Sequence, residues 1–514
     1  MSLLPVVWPT CFARTTKSKY LIGMKKPTFL LALAFLCSLF SLADTSTTVV
    51  NIGSTTQMTL SELIGKGLPV VYIETVDGVK PTCDTVYAPP GCWGETVNSE
   101  KVPGRLFIYD RVAGMDSVLY DSGDYEKNVG GMTIKVRGNT SAATDEKKPY
   151  KIKLQKKADL LLRGVDSVYK DKEWLLLKDP FVFTNTAFRI SEMVGMIWVP
   201  GHRYVNVVIN DDYHGIYLLT EAVKRNPDCR LNVDKNCGYI FECDLYWWNE
   251  SVYVRSNEAP SYNYTFKYPE DEDITQEQLD YAQTMVRAYE ASLTQDNYPD
   301  LIDVRSFAAW CLVHDIVGTK DGGGCNRFYS KYDTTAQSKI FMPVAWDFDL
   351  AERTTGAWSR IHEVYMKKLF NNPNRAFVHE YIRLWCEMRD TYLSDVHSYY
   401  MNFVNSPLGR ALQDCYHLDN KVWDTNRWFQ NAATDRLMWL QRRYTWLDSN
   451  IMSFHVPNDV NIDGVVNITD VTELIKMVMG TKRALITGDI NGDEEVNISD
   501  VTSLTNLLMN SIND

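Results

Sequence analysis

The chain has 514 residues, with 53 basic and 65 acidic side chains and a formal net charge of −12. That balance argues against nucleic-acid binding, which needs a basic face, and suits metal sites built from carboxylates. The length leaves room for two or three domains with ample core.

The first stretch reads as a targeting segment. Lys25 and Lys26 follow Met24, residues 29–42 are almost wholly apolar, and Ser41-Leu42-Ala43 precedes Asp44. A charged start, a short apolar run and small residues before a cleavage point make a signal peptide rather than a membrane span. Met24 is the expected start, residues 1–23 an over-extension, and residues 1–43 are expected to be lost on export. No later run is long and apolar enough to span a bilayer, so the mature protein is expected to be secreted and soluble. Removing Cys11 and Cys37 from the eleven cysteines leaves nine, an odd number. Cys83 with Cys92, and Cys229 with Cys237, are close enough in sequence to bridge after export. Cys243, Cys311, Cys325 and Cys386 sit in apolar surroundings and read as buried thiols.

Residues 44–65 are rich in Thr and Ser and read as a linker. Strand patterns follow at residues 69–73, 105–109, 132–136 and 150–154, where β-branched and aromatic residues are bounded by Gly, Asp and Pro. Between the last two lies a polar loop, Arg137-Gly138-Asn139-Thr140-Ser141, ending at Lys147-Lys148-Pro149. Such a loop with lysines at the next strand can cradle phosphate. Residues 173–177 predict a buried strand and 185–194 an amphipathic helix. Residues 204–209 and 215–220 predict a hairpin ending at Glu221, and 238–244 a further strand, G-Y-I-F-E-C-D. Helical spacing takes over at 275–293 and 304–317, and again across 373–452.

The stretch 321–349 follows the helix predicted for residues 307–317. It places Asp321, three glycines, Asn326, two strand-like runs at 327–332 and 340–346, and then Asp347-Phe348-Asp349. A hairpin there would bring Asp347 back beside Asp321 and Asn326. Protein kinases use the same order: a catalytic Asp, an Asn five positions on, two strands, and a second Asp that holds magnesium.

Seven segments in order resemble the CotH family of secreted, atypical kinase-like proteins: R-G-N-T-S (137–141), K-K-P-Y-K-I-K-L (147–154), W-L-L-L-K-D (174–179), V-I-N-D-D-Y-H-G-I-Y-L-L-T-E (208–221), G-Y-I-F-E-C-D (238–244), D-G-G-G-C-N (321–326) and W-D-F-D-L-A (346–351). The resemblance covers residues 66–450. It implies an α+β, two-lobed protein-kinase-like domain, with a strand-rich first lobe and a helical second lobe, that uses ATP with Mg²⁺ or Mn²⁺ to phosphorylate protein. By residue, Asp321 matches the catalytic Asp, Asn326 and Asp347 the metal-binding pair, and Asp349 an added metal ligand. Lys148 matches the lysine near the phosphates, with Lys151 its rival because alternation sets the two on different sides of the strand start. Arg137 falls in the phosphate loop, Glu221 near the adenine, and Glu192 is a candidate partner for the lysine. The chain has no G-x-G-x-x-G and no H-R-D.

After a linker at 451–458, two related segments stand thirty residues apart. The first offers Asp459, Asn461, Asp463, Asn467 and Asp470, and the second Asp489, Asn491, Asp493, Asn497 and Asp500. These are positions 1, 3, 5, 9 and 12 of an EF-hand-type loop, and each loop leads into an apolar helix. Position 12 is Asp rather than Glu, and position 6 is Gly464 in the first loop but Glu494 in the second. Residues 459–514 resemble a type I dockerin, a small all-α module that holds two Ca²⁺ ions and docks on a cohesin domain of a scaffold protein. Ile468-Thr469 and Ile498-Ser499 match its recognition pairs.

Three function classes compete. The first is an exported kinase-like enzyme tethered to a cellulosome-like assembly for polysaccharide degradation, acting on a protein substrate. The second is a carbohydrate-active hydrolase, with Asp321 and Asp347 as its carboxylates and Tyr246-Trp247-Trp248 as a sugar platform. The third is a non-catalytic structural or adhesion component. The chain has no HExxH, GxSxG or Walker loop, which disfavours zinc proteases, serine hydrolases and P-loop enzymes.

Overall fold

The structure is a computed structural model that describes residues 44–164, 167–179, 182–258, 261–319, 326–352, 355–361 and 363–513. The targeting segment, Cys325 and Asp321 therefore lie outside the described residues.

Seven strands close on themselves: β1 (Val70–Thr75), β2 (Val102–Val112), β3 (Met132–Val136), β4 (Tyr150–Ala158), β5 (Asp171–Leu177), β6 (His202–Ile209) and β7 (Asp212–Glu221). Their spatial order is β5-β4-β3-β2-β1-β6-β7, and β7 returns to pair with β5, Trp174 opposite Glu221. Six pairings are antiparallel; β1 and β6 run parallel, Asn206 beside Val70. Alternation drives the closure: Ile134, Ile152, Trp174, Val205 and Tyr217 fill the interior while their neighbours face out. The expected strand-rich first part is thus a seven-stranded barrel. The two-lobe expectation did not anticipate its closure, which depends on pairings between strands far apart in sequence.

Residues 44–65 are not a plain linker. Val49–Ile52 pairs with Thr56–Thr59, and the single turn Leu60–Ile64 follows. The Thr59 side chain accepts from the Glu62 amide while the Glu62 carboxylate accepts from the Thr59 amide, a reciprocal cap that starts the turn.

A second sheet of β8 (Tyr239–Asp244), β9 (Tyr253–Arg255), β10 (Asn263–Tyr268), β11 (Arg327–Lys331) and β12 (Ile340–Phe341) runs in the order β9-β10-β8-β11-β12. The hairpin predicted around Asp347 is present as β11 and β12, but its second arm is ladder only at Ile340 and Phe341. Helices α1 (Phe183–Val194), α2 (Gln276–Ser292), α3 (Val304–Val317), α4 (Val364–Phe370), α5 (Ala376–Asn405), α6 (Pro407–Trp423) and α7 (Phe429–Met452) pack with this sheet. Helix α3 is buried from Ser306 to Val317 and packs on α1, α5 and α7. Helices α8 (Ile468–Val478) and α9 (Ile498–Asn513) close the chain and pack on each other.

The described cysteines are free thiols, Cys83, Cys92, Cys229 and Cys237 included. The paired cysteines of the sequence reading occupy different surroundings: Cys83 packs on the barrel core, Cys92 sits in a turn onto Pro89, and the Cys237 thiol donates to Asp234. Among the described residues no helix is long and apolar enough to cross a membrane.

Candidate functional site

A cleft of about 1510 Å³ lies between the outer face of β3, β4 and β5 and the residues of β8, β10, Asn326 and Asp347. Each wall follows from strand alternation. On β4, Ile152 and Leu154 turn inward, so Lys151 and Lys153 point out; on β3, Lys135 stands opposite Lys151. Lys151 lies 2.7 Å from the Glu173 carboxylate on β5, and Lys153 lies 3.4 Å from it. Lys224 adds a third ammonium at 3.9 Å. Burial works against the Glu173 charge, but the Lys151 and Lys224 ammoniums outweigh it and hold the carboxyl down at about 2. Burial pulls Lys151 and Lys135 below the usual lysine range.

Arg137 ends β3, its amide donating to Pro149, and its side chain lines the cleft. Burial lowers its guanidinium, against the opposing charges of Asp347, Glu242 and Asp349. Lys148, the first choice for the phosphate lysine, is not in the cleft lining. Its ammonium donates to the Ala142 carbonyl at 2.7 Å and so holds the turn Thr140–Thr144. Of the two candidate lysines, Lys151 is the one that lines the cleft.

Glu221 is also turned away. It is 1% exposed, receives Arg163 at 2.8 Å and accepts from the Gly201 amide. Its neighbours Ala222 and Val223 line the cleft instead. Glu192 pairs with Arg189 on its own helix, three residues away, and does not partner a cleft lysine. Glu173 takes that place.

The opposite wall is acidic. Glu242 and Asp244 alternate on β8; Glu242 lies 3.0 Å from Lys267 and accepts from the Asn326 amide at 3.1 Å. Asp244 accepts from the Tyr246 amide and the Thr265 hydroxyl. Burial and then the Glu242 charge push Asp244 up to about 7, while the Glu242 and Asp244 carboxylates outweigh burial and raise Lys267. Asn326 (φ 66°) and Asp347 (φ 64°) both sit in the left-handed region, which Asn and Asp tolerate better than most residues. Phe348, 1% exposed, anchors the second of these turns between Phe188 and His314, with ring centroids 6.2 and 5.3 Å away. With Phe348 so held, Asp347 and Asp349 on either side line the cleft.

Behind this wall Arg327, wholly buried, bonds the Cys243 sulfur and pairs with Glu363, which caps α4. Glu173, Glu242, Asp244 and Lys267 went unassigned in the sequence. The signal for three of them was an acid placed among inward-facing strand residues, in E-W-L-L-L and in E-C-D.

The two C-terminal loops wind around their own carboxylates. In the first, Asp459 accepts from the amides of Asp463 and Gly464, and Asp470 from those of Asn461 and Asn467. In the second, Asp489 accepts from Gly492, Asp493 and Glu494, and Asp500 from Ile490, Asn491 and Asn497. Asn461 and Asn491 each reach the Asp two positions on, at 2.9 Å. Asp459, Asp470 and Asp500 are buried carboxylates, a setting that a cation stabilises.

Among the described residues no three His, Cys, Asp or Glu side chains gather closely enough to hold a metal by themselves. Both sites remain compatible with a metal. Two of the five side chains each loop would offer to calcium are asparagine amides, and magnesium takes one or two carboxylates with the rest from phosphate and water. Asn326, Asp347 and Asp349 line the cleft and are the residues that would hold such an ion.

Comparison with curated proteins gives no match. Comparison with protein families gives two. Residues 457–509 match the type I dockerin domain, whose members bind calcium and dock on cohesin. Residues 134–447, more than half of the chain, match the CotH kinase protein description. The chain therefore belongs to the CotH family and carries a C-terminal type I dockerin domain.

Proposed function

We propose that the protein is an exported, nucleotide-dependent phosphotransferase carried by its dockerin on a cohesin-bearing, cellulosome-like scaffold. The observation that carries this reading is the cleft itself, with a basic wall of Lys135, Lys151 and Arg137 facing an acidic wall of Glu242, Asp347 and Asp349. A polyphosphate chain with a divalent cation needs both signs of charge at once. A glycosidase needs two carboxylates and no lysine cluster.

In this reading Lys151, held by Glu173, binds phosphate oxygens, and Arg137 supports the same charge. Asn326, Asp347 and Asp349 hold magnesium, which when bound neutralises charge developing on the transferred phosphoryl group. Asp321, from the family resemblance, accepts the proton of the acceptor hydroxyl. That hydroxyl belongs to a Ser, Thr or Tyr of a protein on the same scaffold.

Calorimetry with ATP and Mg²⁺ should show binding that Asp347→Ala removes. Labelled ATP should then transfer label to secreted proteins of the assembly, and Asp321→Asn should stop transfer while keeping binding. Release of reducing sugar from plant polysaccharide without label transfer, abolished by Asp321→Asn, would establish the hydrolase class instead.

A further inference from the structure

The two calcium loops are repeats, yet they depart from each other at two positions where the backbone is left-handed. At position 4 the first loop has Ile462 (φ 57°) and the second Gly492 (φ 76°). At position 6 the first has Gly464 (φ 89°) and the second Glu494 (φ 69°). For an isolated loop the first choice is costly, because a β-branched residue is a genuine outlier in this region and glycine is not.

The CotH domain accounts for both differences. Ile462 is 2% exposed and belongs, with Val460, to the same buried cluster as Phe377 and Tyr381 of α5. Its strained backbone is held from outside: the Arg383 guanidinium on α5 donates to the carbonyls of Asn461 and Ile462 at 3.2 and 3.3 Å. Arg383 is itself fixed by Glu380, which also receives Arg305, so the support carries little net charge toward the loop. One turn earlier His379 lies against Gly464. A Cβ at Gly464 would stand 2.9 Å from the imidazole, closer than real Cβ contacts come. In the second loop residues 491–495 are exposed, and a glutamate is accommodated where the first loop requires glycine.

We infer that the first calcium loop is seated on α5 of the CotH domain, that Arg383 preorganises it for calcium and that His379 closes over position 6, while the second loop binds calcium as a free-standing site. The seat uses the start of the loop only. Ile468 and Ile498, at position 10 of the two loops, remain 69% and 66% exposed, so both recognition faces stay open to a partner.

The test uses the full chain with Asp489→Ala to silence the second loop, titrated with Ca²⁺ alone in a calorimeter. On a free loop Ile462→Gly would relieve strain and leave calcium affinity equal or higher. On the seated loop it removes the anchor, and affinity is expected to fall about tenfold or more, the usual effect of losing groups that support a metal's ligands. Gly464→Glu, which copies the second loop, should also lower affinity, and His379→Ala in the same chain should restore it. Unchanged or raised affinity in Ile462→Gly, or a Gly464→Glu defect that His379→Ala does not relieve, would overturn the seating.

Discussion

Lys151 and Glu173 meet at 2.7 Å from adjacent antiparallel strands of one barrel wall. In protein kinases the comparable lysine is paired with a glutamate on a helix, and moving that helix switches the enzyme. Here both partners belong to a closed ladder, Lys151 opposite Leu175 and Lys153 opposite Glu173. No helix movement separates them, so control of this site must come from elsewhere.

The first prediction concerns which lysine binds nucleotide. A charge-assisted hydrogen bond contributes roughly 1.5–3 kcal/mol, so Lys151→Ala should weaken ATP affinity by about tenfold to a hundredfold. Lys148→Ala should leave ATP affinity within about twofold, since its ammonium serves the Thr140–Thr144 turn. Titration of both variants with ATP and Mg²⁺ checks the contrast; equal losses would return the role to Lys148.

The second concerns pH. The Asp244 carboxyl is raised from 3.8 to about 7, by burial first and by Glu242 second. A raised carboxyl contributes stability that is fully present below about pH 4 and is lost as pH rises through about 7. The contribution is about 4 kcal/mol at most. Denaturant unfolding of wild type against Asp244→Asn should show the difference between them changing across that window, and a constant difference would refute the assignment. Metal bound nearby favours the charged form, so Mg²⁺–ATP binding near pH 6 should release protons that Asp244→Asn does not.

A third test addresses Phe348. Its ring is packed between Phe188 and His314, so Phe348→Ala should cost about 3–5 kcal/mol of stability. Phe348→Leu, which keeps most of the volume, should fold with a loss of about 1 kcal/mol. It should still weaken metal-dependent nucleotide binding, because Asp347 and Asp349 take their direction from the ring between them. Nucleotide affinity with and without Mg²⁺ separates the two effects.

Glu494 gives a fourth. It holds φ 69° in an exposed loop, where a residue with a side chain is disfavoured by about 1 kcal/mol relative to glycine. Glu494→Gly should therefore tighten calcium at the second loop by about fivefold. A calcium titration with the first loop silenced by Asp459→Ala reads this directly.

Much of the local structure was legible because strand alternation is local. Ile134 and Ile152 mark the inward face of their strands, and the helices near residues 185, 276 and 304 begin within a few residues of expectation. Barrel closure was not legible, because Trp174 meets Glu221, and Val70 meets Asn206, across long separations. The choice between Lys148 and Lys151 failed for a related reason. Alternation separates them, but the direction of Lys148 is set by a carbonyl at Ala142, in a turn that polarity alone does not predict. Residues 44–65 misled through composition: Thr and Ser read as linker, whereas Thr59 and Glu62 form a helix start. Glu242 and Asp244 were visible as alternating acids, but nothing local says that Lys267 and Asn326 face them.

The second sheet ends on one side in three residues, Tyr253–Arg255, and on the other in two, Ile340–Phe341. A long bare edge offers a row of unpaired amides and carbonyls to any neighbouring chain, and is the usual starting point of strand-swapped aggregates. Edges this short give an incoming strand almost no purchase. That brevity, together with the bridge from Ile302 to Ile340, leaves little of the edge open to strand addition, and lengthening Ile340–Phe341 into a full exposed strand would give that protection up.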